Sequence, residues 1–177
     1  MSENNKNVEI ETLGEFGLID ELTSDTVLRN DSSLKGIGDD CAVISGKDGE
    51  NKLLSTDMLV EGVHFNLSYM PLKSLGFKAV SVNVSDVYAM NGMPEQITVS
   101  LGVSSKFPVE ALKELYAGIH AACEYYSVDL IGGDTTSSYS GLIISISVLG
   151  FASESNVSLR SGAKENDLLI VSGDVGS

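Results

Sequence analysis

Residues 72–103 read LKSLGFKAVSVNVSDVYAMNGMPEQITVSLGV, and this stretch decides the fold. Leu75, Ala79, Val82 and Asp86 recur at helical spacing, which predicts a helix over 72–91 with one face turned inward. Asn91-Gly92, followed by Pro94, stops it. ITVSLGV (97–103) then reads as a strand. A helix delivered into a strand is the repeating unit of layered α/β domains. Asp86 breaks the pattern. It places a carboxylate on a face expected to be buried, and a buried carboxylate needs a partner.

Toward the carboxyl end a second helix spans about Pro108 to Tyr126. Pro108 and Glu110 suit its first turn, and Leu112, Leu115, Ile119, Ala122 and Tyr126 form its apolar stripe. VDLI (128–131) is a short strand leading into GGDTT. GLIISISVLGF (141–151) is a long strand, and DLLIVSG (167–173) is expected to be the last.

Toward the amino end, CAVIS (41–45) and KLLSTD (52–57) are strands joined by GKDGEN, a hairpin-type connection. MLVEGVHF after them is a loop or a strand extension. Residues 30–40 are turn-rich and end in GIGDD. The stretch GEFGLIDELTSDTVLR (14–29) opens as a short amphipathic helix carrying Phe16, Ile19 and Leu22. Residues 1–13 are expected to be a flexible tail.

The order predicts an α/β two-layer domain, a mixed sheet with helices on one face. Its long strands leave an open edge or face, so sheet pairing across a dimer is expected.

The chain has 177 residues, is 42% hydrophobic and carries a net charge of −14. That composition supports a packed core. The charge argues against nucleic acid and against anionic membranes as partners. No apolar run reaches the roughly 18 residues of a membrane span. The polar, acidic start lacks the basic and apolar regions of a signal peptide, so a cytoplasmic protein is the default expectation. Cys41 and Cys123 stand far apart and read as small apolar fillers.

Four acidic motifs fall at or near the ends of expected elements: GIGDD (36–40), STD (55–57), NVSD (83–86) and GGDT (132–135). Each alone has a plain structural reading, GIGDD as a turn and Asp86, within the expected helix, as a carboxylate satisfied by backbone amides or a lysine, and His64 of EGVHF reads also as an ordinary surface or core histidine. Together the carboxylates suit magnesium, which takes oxygen ligands from one or two carboxylates, waters and phosphates. The flanking glycines allow close backbone approach to a ligand. Neither a Walker A sequence nor a Rossmann glycine fingerprint is present. Metal ions would then have to do much of the work of a phosphate-loop lysine.

GEFGLI, GIGDDCAV, STDMLVEGVHF, LGFKAVSVNVSDVYAMNGMP, LIGGDTT and LRSGAK occur in that order. As an ordered set they resemble the thiamine-monophosphate kinases, over about residues 14 to 177. Those enzymes belong with aminoimidazole ribonucleotide synthetase, selenophosphate synthetase and the hydrogenase maturation protein HypE. The resemblance implies an ATP- and magnesium-binding amino-terminal domain over 14–172. Residues 173–177 would begin a second domain. It also implies a homodimer and transfer of a phosphoryl group from ATP to thiamine monophosphate, giving thiamine diphosphate.

Carried over by position, Asp40, Ser55, Thr56, Asp57, Asp86 and Asp134 are expected magnesium ligands, with Asp86 shared between ions. Tyr116, Gly133, Asp134 and Arg160 are expected at ATP, and His64 at the thiamine substrate. Catalysis would rest on these metal and substrate ligands, with no separate acid or base. Two alternatives stay open: a non-catalytic dimeric module that binds Mg-ATP, and another ATP-dependent enzyme of the same superfamily.

Overall fold

The computed structural model describes residues 10–173. In chain order the elements are α1 (Ile10–Thr23), β1 (Ser33–Lys35), β2 (Ala42–Ser45), β3 (Glu50–Val60), α2 (Leu72–Ala89), β4 (Met93–Ser104), α3 (Val109–Tyr126), β5 (Asp129–Ser138) and β6 (Leu142–Ser153). Two 3₁₀ turns follow, at Glu154–Asn156 and Arg160–Gly162.

One mixed sheet runs in the order β1-β2-β3-β6-β4-β5. Only β4 and β5 pair in parallel, as expected for two strands joined through a helix, here α3. The other pairs are antiparallel, including the β2–β3 hairpin across Gly46–Gly49.

The core lies between this sheet and the α2–α3 pair. Leu75, Ala79, Val80, Val84 and Val87 of α2 are fully buried, with Leu115, Ile119 and Ala122 of α3. They meet Leu53 and Leu59 of β3, Ile97, Val99 and Leu101 of β4, and Ile144, Ile146 and Val148 of β6. The odd positions of β3 and the even positions of β6 therefore face the helices, the two-residue alternation of a half-covered strand. The opposite face carries Leu54 and Met58, both exposed, beside the half-buried Leu149 and Phe151. The two helices cross at glycines. A Cβ on Gly118 would lie 1.9 Å from the Lys73 carbonyl oxygen, and one on Gly76 2.1 Å from that of Leu115.

The expected α/β two-layer architecture is what forms, with four differences. A short strand, β1, lies inside the turn-rich 30–40 segment; it is three residues long and has no apolar alternation to announce it. Helix α1 begins at Ile10, inside the expected tail, and is interrupted at Gly14, whose φ is 65°. Its apolar residues do not join the core, for Phe16 and Leu22 stay exposed. The expected last strand, DLLIVSG, is irregular, and Leu168 and Leu169 are 88% and 94% exposed. A strand needs a neighbour to satisfy its amides, and no other described segment pairs with this one. Residues 1–9 and 174–177, on which the remaining tail and second-domain expectations fall, lie outside the described residues.

Candidate functional site

Six of the expected site residues line one cleft of about 570 Å³: Asp40, Ser55, Thr56, Asp57, Asp86 and Arg160. Strand alternation turns Ser55 and Asp57 toward the helices, and α2 brings Asp86 up to them. The GIGDD loop adds Asp39 and Asp40, with Gly38 at φ 108°, where a side chain would be strained. Phe16 and Ile19 of α1 line the same cleft, which explains why they are absent from the core.

Asp86 is not on the buried stripe of α2, which comprises Leu75, Gly76, Ala79, Val80, Asn83, Val84 and Val87. It sits one step around the helix, half-buried at the rim of the cleft. Ser55 Oγ donates to its Oδ2 at 2.6 Å. Burial raises the Asp86 pKa most. The Ser55 hydrogen bond opposes that, Asp57 and Asp40 raise it further, and Arg160 lowers it. Arg160 forms an ion pair with Asp40 and donates its backbone N–H to Asp39 Oδ1. Cys41 lies beneath this group. Burial, with Asp86, Asp40 and Asp39 nearby, pushes its thiol up to about 12. It is therefore an inert filler, as expected.

Asn83 was not singled out from the sequence, although it opens the NVSD motif three residues before Asp86. It is fully buried. Its Nδ2 donates to the Ala79 carbonyl and its Oδ1 accepts the Asp57 N–H at 3.0 Å, so it fixes the main chain at Asp57 to α2. The signal was helical spacing: three residues from Asp86, on the more buried side.

Thr56 behaves differently from its neighbours. Its side chain lies on the other face of β3, where Oγ1 donates to the Ile146 carbonyl and accepts from Ser147 Oγ. Its hydroxyl is thus not presented beside that of Ser55.

Tyr116, Gly133 and Asp134 lie elsewhere, in a second cleft of about 540 Å³ along edge strand β5. Register explains the separation. Asp57, Ile146, Val99 and Gly133 form one row across β3, β6, β4 and β5. Three interstrand steps place Gly133 about 14 Å from Asp57. Asp134 is in the next row, beside Ser100, and so has the opposite facing from Asp57. Asp134 therefore does not join Asp40, Asp57 and Asp86 within this chain. Gly133 has φ 156°, and a Cβ there would lie 1.8 Å from the Val99 carbonyl oxygen, so the position requires glycine.

His64 borders a third, smaller cleft of about 200 Å³, together with Asp57, Met58, Leu59, Lys78 and Val82. Its Nδ1 accepts the Val60 N–H at 3.0 Å, which leaves the proton on Nε2. Lys78 Nζ donates to the His64 carbonyl at 3.1 Å. Asp57 borders both this cleft and the acidic one.

Asp40, Asp57 and Asp86, with Asp39, Glu15 and Asp20 along the same cleft and one guanidinium among them, form a donor set suited to a hard cation. Among the described residues, no three His, Cys, Asp or Glu side chains are gathered as a ready ligand group. The fit is thus to ions that arrive with phosphate oxygens and keep waters, the habit of magnesium, rather than to a closed protein cage.

The family described as AIR synthase related protein, N-terminal domain, matches residues 38–152. The chain belongs to that family. It is 39% identical over 165 residues to the thiamine-monophosphate kinase of Bacillus subtilis (strain 168), covering 93% of this chain and 50% of that protein. A relative of the same name from Aquifex aeolicus is 38% identical over 167 residues, covering 94% and 51%. The solved structure of AaThiL complexed with AMPPCP and TMP matches with a TM-score of 0.73 and 36% identity, over 84% of this chain and 45% of that one. The chain spans about half the length of the curated relatives it matches. Among the described residues no helix is long and apolar enough to cross a membrane.

Proposed function

We propose that this chain is the ATP- and magnesium-binding part of a thiamine-monophosphate kinase, which transfers the γ-phosphoryl group of ATP to thiamine monophosphate. The observation that carries the reading is Asp86. It is half-buried, stands beside Asp57 and Asp40, and is held by a serine rather than by a cation of its own. Such a group is poised for a cation brought by a ligand. The relatives' names and the AMPPCP and TMP complex of AaThiL support ATP and thiamine monophosphate as the two substrates.

The acceptor is a phosphate oxygen, already ionised at neutral pH, so no strong base is required. The chain's task is to bind and orient. Asp40, Asp57 and Asp86, with the Ser55 hydroxyl, offer oxygen ligands on one side of the cleft. Magnesium bound there would neutralise and bridge phosphate oxygens. Arg160 is freed for the ATP phosphates once a cation takes over Asp40. Tyr116 and Gly133 belong at the nucleotide. Asp134 belongs with them rather than with the acidic cleft. His64 offers a neutral Nε2–H to the acceptor.

A non-catalytic Mg-ATP-binding module is the second reading. Formation of thiamine diphosphate from ATP and thiamine monophosphate separates the two. Activity is expected in the protein at the length its gene encodes. No thiamine diphosphate from the gene-length protein contradicts the kinase reading.

A further inference from the structure

We propose that Lys78 is a substrate-positioning residue whose ammonium group holds the phosphate ester of the acceptor at the small cleft shared by His64 and Asp57. The inference rests on the kinase reading and adds to it a residue that none of the four acidic motifs contains.

Three observations carry it. First, Lys78 is half-buried, and Nζ is bonded to a neutral carbonyl, that of His64; among the described residues it has no carboxylate partner. An ammonium has three donors, so two remain for an anion. Second, Lys78, Val82 and Asp86 follow one another at four-residue spacing along α2, a single stripe on the helix. That stripe leads from the small cleft to the acidic one, and Asp57 borders both. A donor phosphate held at Asp86 and an acceptor phosphate held at Lys78 would therefore meet at Asp57. Third, the chain carries −14 charges, and its field repels a phosphate ester. An unpaired cation at the acceptor's cleft offsets that repulsion where the metal ligands do not reach. His64, with its proton on Nε2, adds a neutral donor at the same place.

A purely structural lysine would instead fasten the loop at His64. Two variants and two ligands separate the roles. Lys78→Gln keeps a hydrogen-bond donor but removes the charge, whereas Lys78→Arg keeps the charge. Calorimetric titrations of thiamine monophosphate, thiamine and Mg-ATP would be made on the protein at the length its gene encodes. Lys78→Gln should lose at least tenfold in affinity for thiamine monophosphate and less than threefold for thiamine and for Mg-ATP. Lys78→Arg should keep thiamine monophosphate affinity within about threefold of the parent. Equal losses for thiamine and its monophosphate overturn the inference in favour of loop positioning, as does an unchanged Lys78→Gln. A parent protein that binds Mg-ATP but no thiamine monophosphate overturns the kinase reading, and this inference with it.

Discussion

Ser55 Oγ donates to Asp86 Oδ2 at 2.6 Å, and this bond ties strand β3 to helix α2 at the rim of the acidic cleft. Around it Asp86 is destabilised by burial and by Asp57 and Asp40, so the protein keeps a carboxylate whose ionised form works against the fold. Sites that bind charged ligands are where such groups accumulate.

Asp86→Asn should therefore separate stability from function. The folded pKa of Asp86 is raised above its unfolded value of about 3.9. The folded chain holds the extra proton, so this group's stabilising contribution is full below the unfolded pKa and is lost as the pH rises through the folded one. At neutral pH the variant should melt at the same temperature as the parent or higher, and the difference should shrink as the pH is lowered toward 4. The amide oxygen can still accept from Ser55. Magnesium-dependent ATP binding should fall by at least tenfold. A folded variant with parental Mg-ATP affinity contradicts a metal role for Asp86.

Gly118→Ala tests the helix crossing that sets the height of α2 above the sheet. The new methyl would sit 1.9 Å from the Lys73 carbonyl oxygen, main chain that cannot swing away. Alanine gains about 1 kcal/mol of helix propensity, while forced overpacking typically costs about 1–3 kcal/mol. Contact with backbone belongs at the upper end, so urea unfolding should show a net loss of roughly 1–2 kcal/mol. An equally stable variant would show that the two helices are not in such close contact.

The open face of the sheet, with Leu54 and Met58 exposed, supports pairing with a second copy of the chain. Sedimentation at micromolar concentration should show a dimer, and a stable monomer would count against the pairing.

The elements that sequence pattern revealed are those with a long apolar period. Helix α2 ends at Ala89, against an expected 91, and α3 starts at Val109 where Pro108 announced it. What pattern could not reveal depended on partners. DLLIVSG has strand composition, yet no other described segment pairs with it, while Ser33–Lys35 pairs with β2 despite having little strand character. β5 runs on to Ser138 through a polar, glycine-containing stretch because β4 supplies its hydrogen bonds.

The site shows the same division. Asp40, Ser55, Thr56, Asp57, Asp86 and Arg160 come from separate motifs and share one cleft because neighbouring elements carry them. Motif order could not foresee that Asp134 would lie across the sheet with opposite facing, because strand order and the bulge between Ile97 and Thr98 decide that. The side-chain directions of Thr56 and Asn83 follow from strand and helix periodicity and were within reach of the sequence.

The central claim is that the cleft of Asp40, Asp57 and Asp86 binds ATP through magnesium. Calorimetric titration of ATP into the 177-residue chain, with magnesium and again with the metal chelated, tests it most directly. The account predicts saturable binding with magnesium and a loss of at least tenfold in affinity without it, because the bare phosphates would meet a cleft lined by six carboxylates with only Arg160 as a cation. Equal affinity in the two titrations, or no binding with magnesium present, would contradict it.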